Sequence, residues 1–409
     1  MQEGYPVRTD RRTDDTQHSD IAVIGGGMVG CAAALALGRL GYKVVLVEGG
    51  QSPEFPGAAY DLRVSAINPA SRDLLEQLGA WELILARRTS PYERMAVWDA
   101  SGPGRLSFDA ADIGLPQLGH IIENSVVNAA LFEQIKSTAA ARTITGSRVK
   151  DIIWQDDSAM LTLVSGERIS CSLLVGADGG RSQVREAAGL ATRGHAYHQV
   201  GIVANVQTEK NHDDTAWQRF LPTGPLAFLP LSDGSCSIVW SADDAVAEQL
   251  LALSDAEFER QLETAFESRL GAVRLISERA GFPLEYANAE AYSAHRTVLV
   301  GDAAHRIHPL AGQGVNLGLG DVIALDRILH EAMEQGREPG DPLYLRQYSR
   351  ARRADASVML AGMDTIQKLF CSDAKLLQQL RNTGLNLVDR SMLLKSFFMH
   401  RAAGERFSI

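Results

Sequence analysis

Residues 308–321 read HPLAGQGVNLGLGD, a glycine-rich loop running straight into a helical pattern. They follow a short apolar run, residues 298–300, which ends in Gly301-Asp302. The order is strand, acidic turn, glycine-rich loop, then a helix expected over about residues 315–329. With Gly312, Gln313 and Gly314 at a helix start, backbone N–H groups stay unpaired and point at whatever sits there. Those amides and the positive end of the helix dipole favour an anion or an electron-rich ring edge. Glycine lets the backbone come close and take positive φ. The plainer reading is a tight turn joining strand to helix.

Two further segments carry the same kind of chemistry. Residues 21–30 read IAVIGGGMVG, an apolar strand followed by Gly25-x-Gly27-x-x-Gly30. A small-residue helix and a second apolar strand follow, and that strand ends in Glu48. This is the dinucleotide fingerprint in its proper context: glycines for the turn, the approach of a pyrophosphate and helix-on-strand packing, and an acid for a ribose hydroxyl. Glu48 argues against a phosphate on that ribose, since two negative groups would meet there. Mid-chain, SLLVGAD (residues 172–178) is a buried-type strand ending in Asp178, followed by Gly179, Gly180, Arg181, Ser182 and Arg185. Parallel strands present residues to a ligand at such ends; the bland alternative is a strand-to-helix turn with Ser182 as N-cap.

These motifs need scaffolding, and the chain is long enough to provide it. At 409 residues it exceeds one ordinary core, so two interleaved lobes are expected. A hydrophobic fraction of 45% is that of a soluble globular protein, and a net charge of −10 offers no basic field for nucleic acid. Cys31, Cys171, Cys236 and Cys371 are scattered without a CxxC pair, which fits a reducing compartment and neither a metal site nor a disulfide framework. The polar residues 1–20 read as a disordered lead with no signal-peptide core. Glycines, Arg39 and Lys43 make residues 21–47 a βαβ unit and not a membrane span.

The expected organisation is α/β: a Rossmann-like cofactor domain from residues 21–91, 120–194 and 284–341, interleaved with an antiparallel-sheet substrate domain from 92–119 and 195–283. Residues 342–409 form a C-terminal helical segment. Helices are expected near 69–78, 125–140 and 255–267. A hairpin spans 95–100 and 104–110, and a small meander covers 151–154, 160–164 and 168–170. Arg350, Arg352 and Arg353 read as a solvated or ion-paired helix face.

Three glycine-acid motifs so far apart in sequence look like pieces of one site that converge on one cofactor. The chain resembles the group A flavoprotein aromatic monooxygenases related to para-hydroxybenzoate hydroxylase, whose N-terminal GxGxxG, mid-chain Asp-Gly and late Gly-Asp motifs surround one FAD. Within that group HPLAGQGVNLGLGD is similar to the signature of the ubiquinone-biosynthesis hydroxylases. So are LRVSAINPASRDLLEQLGAW (62–81), GHIIENSVVNAAL (119–131), AFLPLSDGSCSIVW (227–240) and RQYSRARRADASVMLAGMD (346–364). The resemblance covers nearly everything after residue 20 and is nearest to the members acting on 2-polyprenylphenol.

The resemblance implies FAD as cofactor, with NAD(P)H a transient co-substrate and O2 the oxidant. A C4a-hydroperoxide of the reduced flavin attacks the ring in this family. By carry-over, Gly25, Gly27, Met28, Val29, Gly30 and Glu48 hold the ADP half. Arg63 reaches in from its loop, and Asn124 joins the cofactor set. Asp178 and Gly179 touch the pyrophosphate side, and Asp302 the ribityl or pyrophosphate region. Gln313, Gly314, Val315 and Asn316 set amides at the pyrimidine edge, where negative charge develops on reduction. Pro309 and His308 shape the substrate side by position and not by proton transfer; His305 reads as a loop-fixing residue.

The implied substrate is a polyprenylated phenol; the alternatives are a late-step methoxy-benzoquinol and, from another class, a flavoprotein scaffold without turnover. The expected setting is the cytoplasm, peripheral at the inner membrane, in a ubiquinone-biosynthesis complex or a homo-oligomer, with no nucleic acid and no metal. The tail 392–407 suits a membrane interface, and equally a helix packed on the core or on a second subunit.

Overall fold

The computed structural model describes residues 16–306, 314–370 and 375–404. Its scaffold is a sheet of eight strands with a parallel centre, in the order Thr297–Leu299, Arg168–Gly176, Thr16–Ile24, Val44–Glu48, Arg142–Thr145. Parallel strands covered on both faces read as unbroken apolar runs, and Ile21 to Ile24 and Val44 to Val47 are buried throughout. The helices Met28–Arg39, Asn124–Thr138 and Gly314–Glu334 pack with this sheet in one core. The first of them can approach closely because it is largely alanine: Ala32, Ala33, Ala34 and Ala36 are all buried.

The first strand begins at Thr16, not at residue 21, so Thr16 to Asp20 leave the expected disordered lead. Thr16 to Ser19 pair in parallel register with Arg168 to Cys171. Their polar side chains gave no alternation to read; the backbone ladder places them there. The same partner strand runs unbroken from Arg168 to Gly176, joining what the sequence divided into a meander strand and a separate buried strand.

A second sheet of nine strands, mostly antiparallel, forms the other lobe. The hairpin Arg94–Asp99 and Arg105–Asp109 closes one edge, and the helices Asp244–Ala252 and Asp255–Ala265 pack with the sheet in a second core. Ser254 and Glu257 form a reciprocal capping box at the latter helix. The long strands Thr192–Thr208 and Ala280–Ala289 pair with each other and cross the expected boundaries at 195 and 283. Between the lobes lies a small antiparallel sheet of Val64–Ile67, Gly119–Glu123 and Ser90–Tyr92.

At the C-terminal end, the helices Pro342–Phe370, Lys375–Arg390 and Met392–Ala402 complete the structure. Among the described residues, no helix is long and apolar enough to cross a membrane. The described cysteines Cys31, Cys171 and Cys236 are free and buried, and burial pushes each thiol up to about 12, so none is a ready nucleophile.

Candidate flavin and substrate site

The three glycine-acid motifs sit at adjacent strand ends, because the first strand, Arg168–Gly176 and Thr297–Leu299 are parallel neighbours. Gly25 has φ +105°, and a Cβ there would lie 2.3 Å from the Ala177 carbonyl oxygen; at Gly30 it would lie 1.9 Å from the Gly25 oxygen. These glycines are required by the fold itself. Gly27 and Gly314 differ: among the described residues, a Cβ on either meets no atom within 4 Å beyond its chain neighbours. Their backbones face open space, as a cradle for a bound group requires.

Glu48 ends its strand beside this turn. Its carboxylate accepts from Gly26 N–H at 2.5 Å and from Gly50 N–H at 2.6 Å, so it shapes the loop. Asp178 accepts from the Ser182 hydroxyl at 2.5 Å and from Val184 N–H at 3.1 Å. Ser182 in turn caps the short helix Gln183–Ala187, so the N-cap expected at that serine is present. Gly179 has φ +77° with open space beyond it. Asp302 is exposed in the tight turn Gly301–Ala303, and Val29 packs on Gly301 and Gly318.

The sequence showed the residues that bind these motifs together but not the partners they find. Arg185 donates to the carbonyls of Gly180 and Ala303, both at 2.9 Å, tying the mid-chain turn to the late one. Asp321, fully buried, accepts from Gly301 N–H at 2.9 Å, lies 2.7 Å from His305 Nε2, and accepts from Arg352 Nε at 2.6 Å. Of the solvated or ion-paired face expected here, Arg352 is the ion-paired and buried member, while Arg350 and Arg353 are exposed. His305 holds its loop through the Asp321 carboxylate. Asp321 is the last residue of HPLAGQGVNLGLGD, and its spacing puts it on the helix face turned to the Gly-Asp turn, the one local signal of its role.

Arg63 is exposed, its guanidinium carbon 5.3 Å from the centre of the Phe282 ring. Its carbonyl accepts from Asn124 N–H at 3.0 Å, and the Asn124 side chain accepts from Ser65 at 2.7 Å. The preceding loop is clamped by Arg88, which donates to the carbonyls of Ala58 and Ala59 and pairs with buried Glu123 at 2.6 Å. At the other motif, Asn316 donates to Ala66 O at 2.7 Å and accepts from Asn68 N–H at 3.1 Å. The helix start at Gly314, Val315 and Asn316 is therefore pinned to the strand that follows Arg63. His308, Pro309 and Gln313 lie outside the described residues.

Beside Ala66 an apolar cavity opens between the small sheet and the nine-stranded sheet, lined by Tyr92, Ile121, Leu229 and, from the last helix, Phe398 and Met399. Burial pushes the Tyr92 phenol up to about 12, so it stays a neutral donor in an apolar chamber. No group of three or more His, Cys, Asp or Glu among the described residues has the arrangement of a metal centre.

A family model described as "FAD binding domain" matches residues 18–362. The chain belongs to that family. It is 38% identical over 389 residues to the 3-demethoxyubiquinol 3-hydroxylase of Escherichia coli (strain K12), covering 95% of this chain and 99% of that one. It is 37% identical over 386 residues to ubiquinone hydroxylase UbiL of Rhodospirillum rubrum, covering 94% and 90%. Among solved structures, p-nitrophenol 4-monooxygenase PnpA from Pseudomonas putida DLL-E4 shares the fold with a TM-score of 0.77 at 20% identity, covering 96% of this chain and all of that one. The protein is an FAD-dependent monooxygenase, and the cradle at Gly27 and Gly314 fits that cofactor.

Proposed function

We propose that this monooxygenase hydroxylates the aromatic ring of a polyprenylated phenol in ubiquinone biosynthesis, acting first on 2-polyprenylphenol. The observation that carries the reading is the apolar cavity beside Ala66, the residue whose carbonyl Asn316 holds. FAD, reduced by NAD(P)H, supplies the activation of O2 when bound. The chain's own residues do the rest. Gly25, Gly27, Met28, Val29, Gly30 and Glu48 would hold the ADP half, Asp178, Gly179 and Asp302 the middle, and Arg63 and Asn124 the loop side.

Amides of Gln313, Gly314, Val315 and Asn316 would stabilise negative charge at the ring edge, where the positive end of a helix of 21 residues adds to them. Cavity walls such as Ile121 and Leu229 keep water from the reacting ring. Tyr92 offers its hydroxyl to the substrate's oxygen; Pro309 and His308, outside the described residues, keep the positioning role that the resemblance implies. A lipid-tailed substrate implies peripheral membrane contact or delivery by a complex.

A second reading, hydroxylation of a late methoxy-quinol, is favoured by the name of the Escherichia coli relative. Mass spectrometry of quinone-pathway lipids in a deletion host separates the two. Accumulated 2-polyprenylphenol, relieved by the intact gene, supports the first step. An accumulated demethoxy-quinone moves the enzyme to the late step, and a normal quinone profile overturns both.

A further inference from the structure

We infer that the last helix, Met392–Ala402, is a lipid-docking surface that seats the mouth of the apolar cavity on an anionic bilayer. Met392, Leu393, Leu394, Phe397 and Phe398 are all exposed, Leu393 at 85% and Phe397 at 50%. Leu393 and Phe397 are four apart and so share one helix face. Soluble monomers seldom leave such a contiguous cluster of large apolar side chains bare.

This helix is not free to roll those residues inward. Its far end is fixed by Asn68, which donates to Ala402 O at 2.9 Å, and by Ala70 N–H, which donates to Ala403 O at 3.1 Å. Lys395 lies 3.4 Å from Asp389 and 3.9 Å from Asp112 on the inner side. Met399 and Ala403 are buried against the cavity. Phe398 belongs to both surfaces: it lines the cavity and is 47% exposed. Outer patch and inner chamber are thus continuous through one side chain.

Charge favours a bilayer over a second copy of this chain. Arg401 lies on a helix without a single acid, and exposed Arg390 precedes it, in a chain whose net charge is −10. A basic rim around an apolar face suits anionic headgroups over acyl chains. Asn68, which holds this helix, also gives its N–H to Asn316, so the docked helix and the flavin-edge helix share one residue. The inference rests on the substrate reading above only for what would pass through the mouth.

The test uses the FAD-loaded full chain and vesicles of phosphatidylcholine with phosphatidylglycerol, compared with phosphatidylcholine alone. The chain should co-sediment with the anionic vesicles, and the double variant Leu393→Glu/Phe397→Glu should bind at least about tenfold more weakly. Its FAD content and gel-filtration volume should be unchanged. Wild-type protein that ignores vesicles, or a variant that binds them equally, overturns the inference. So does a variant that merely turns a dimer into a monomer, which would make the face a contact between copies. Turnover of a short-tailed, water-soluble phenol should persist in both proteins. If neither turns it over while vesicle binding follows the expectation, the substrate reading fails and the docking surface stands.

Discussion

The Asp321 carboxylate lies 2.7 Å from His305 Nε2, and both groups are buried. The same carboxylate accepts Gly301 N–H and Arg352 Nε, so one side chain joins the late Gly-Asp turn, the loop that leaves it and a C-terminal helix. Burial alone would raise the carboxyl's pKa. Electrostatic attraction and hydrogen bonds from His305 and Arg352 outweigh that and hold it below the ordinary carboxylate value.

Asp321→Asn should therefore loosen the flavin loop from a distance. The substitution leaves the buried Arg352 guanidinium with the partly exposed Asp355 at 2.9 Å and the Leu317 carbonyl at 3.3 Å. Breaking a buried pair from one side costs about 3–5 kcal/mol, and the low end applies because Asp355 remains. Thermal midpoint and FAD retention on gel filtration should both fall. The sign with pH follows from a depressed folded pKa. The carboxylate's contribution is present above the unfolded value of 3.8 and is lost as pH falls through the folded one. The variant's stability should change less than the wild type's as pH drops through that window.

Gly27→Ala and Gly25→Ala should separate binding from folding. At Gly27 a Cβ meets no protein atom within 4 Å, and φ is −72°. The protein should fold normally and lose FAD affinity by about tenfold or more, the cost of a blocked approach. At Gly25 positive φ and the Ala177 carbonyl both oppose a side chain. That variant should lose thermal stability even as apoprotein, by about 1–3 kcal/mol or more. Visible flavin absorbance and apoprotein melting, measured together, check the pair. Equal melting of the two apoproteins would contradict this assignment.

Much of this architecture was legible because its signals are local. Strand, glycine turn and helix succeed one another at residues 21–39, and alternation or apolar runs mark the buried strands. What stayed hidden depends on long-range partners. Thr16 to Ser19 are polar and become strand only by pairing with Arg168 to Cys171. Nothing local in the sequence names the partners of Arg185 and Arg352, because the fold alone brings Ala303 and Asp321 to them. Asn68 reads as a helix cap, which it is, yet nothing local reveals that it also reaches Asn316 and Ala402.

Tyr92→Phe tests the substrate side. The phenol is buried, neutral and set among apolar walls. Removing its hydroxyl deletes one hydrogen bond to the bound ring, a net effect of about 1–1.5 kcal/mol, or roughly tenfold in kcat/KM. FAD content should not change. An unaltered kcat/KM would remove Tyr92 from the substrate's contacts.

His120 sets the acid limit of the small sheet. Its ring meets Trp81 edge-on with centroids 4.9 Å apart, and Gln117 lies 3.0 Å from Nε2. Burial, helped by the charge of Arg72, lowers its pKa from 6.5 to about 4. The folded state thus holds the ring neutral while the unfolded chain takes up a proton. Stability from this residue is full above pH 6.5 and is lost as pH falls toward 4. At pH 5 the loss is about 2 kcal/mol relative to neutral pH. His120→Gln cannot titrate and keeps a polar partner for Gln117. The drop in thermal midpoint from pH 7 to pH 5 should therefore be smaller in that variant than in wild type. An identical drop would mean that other groups set the acid limit.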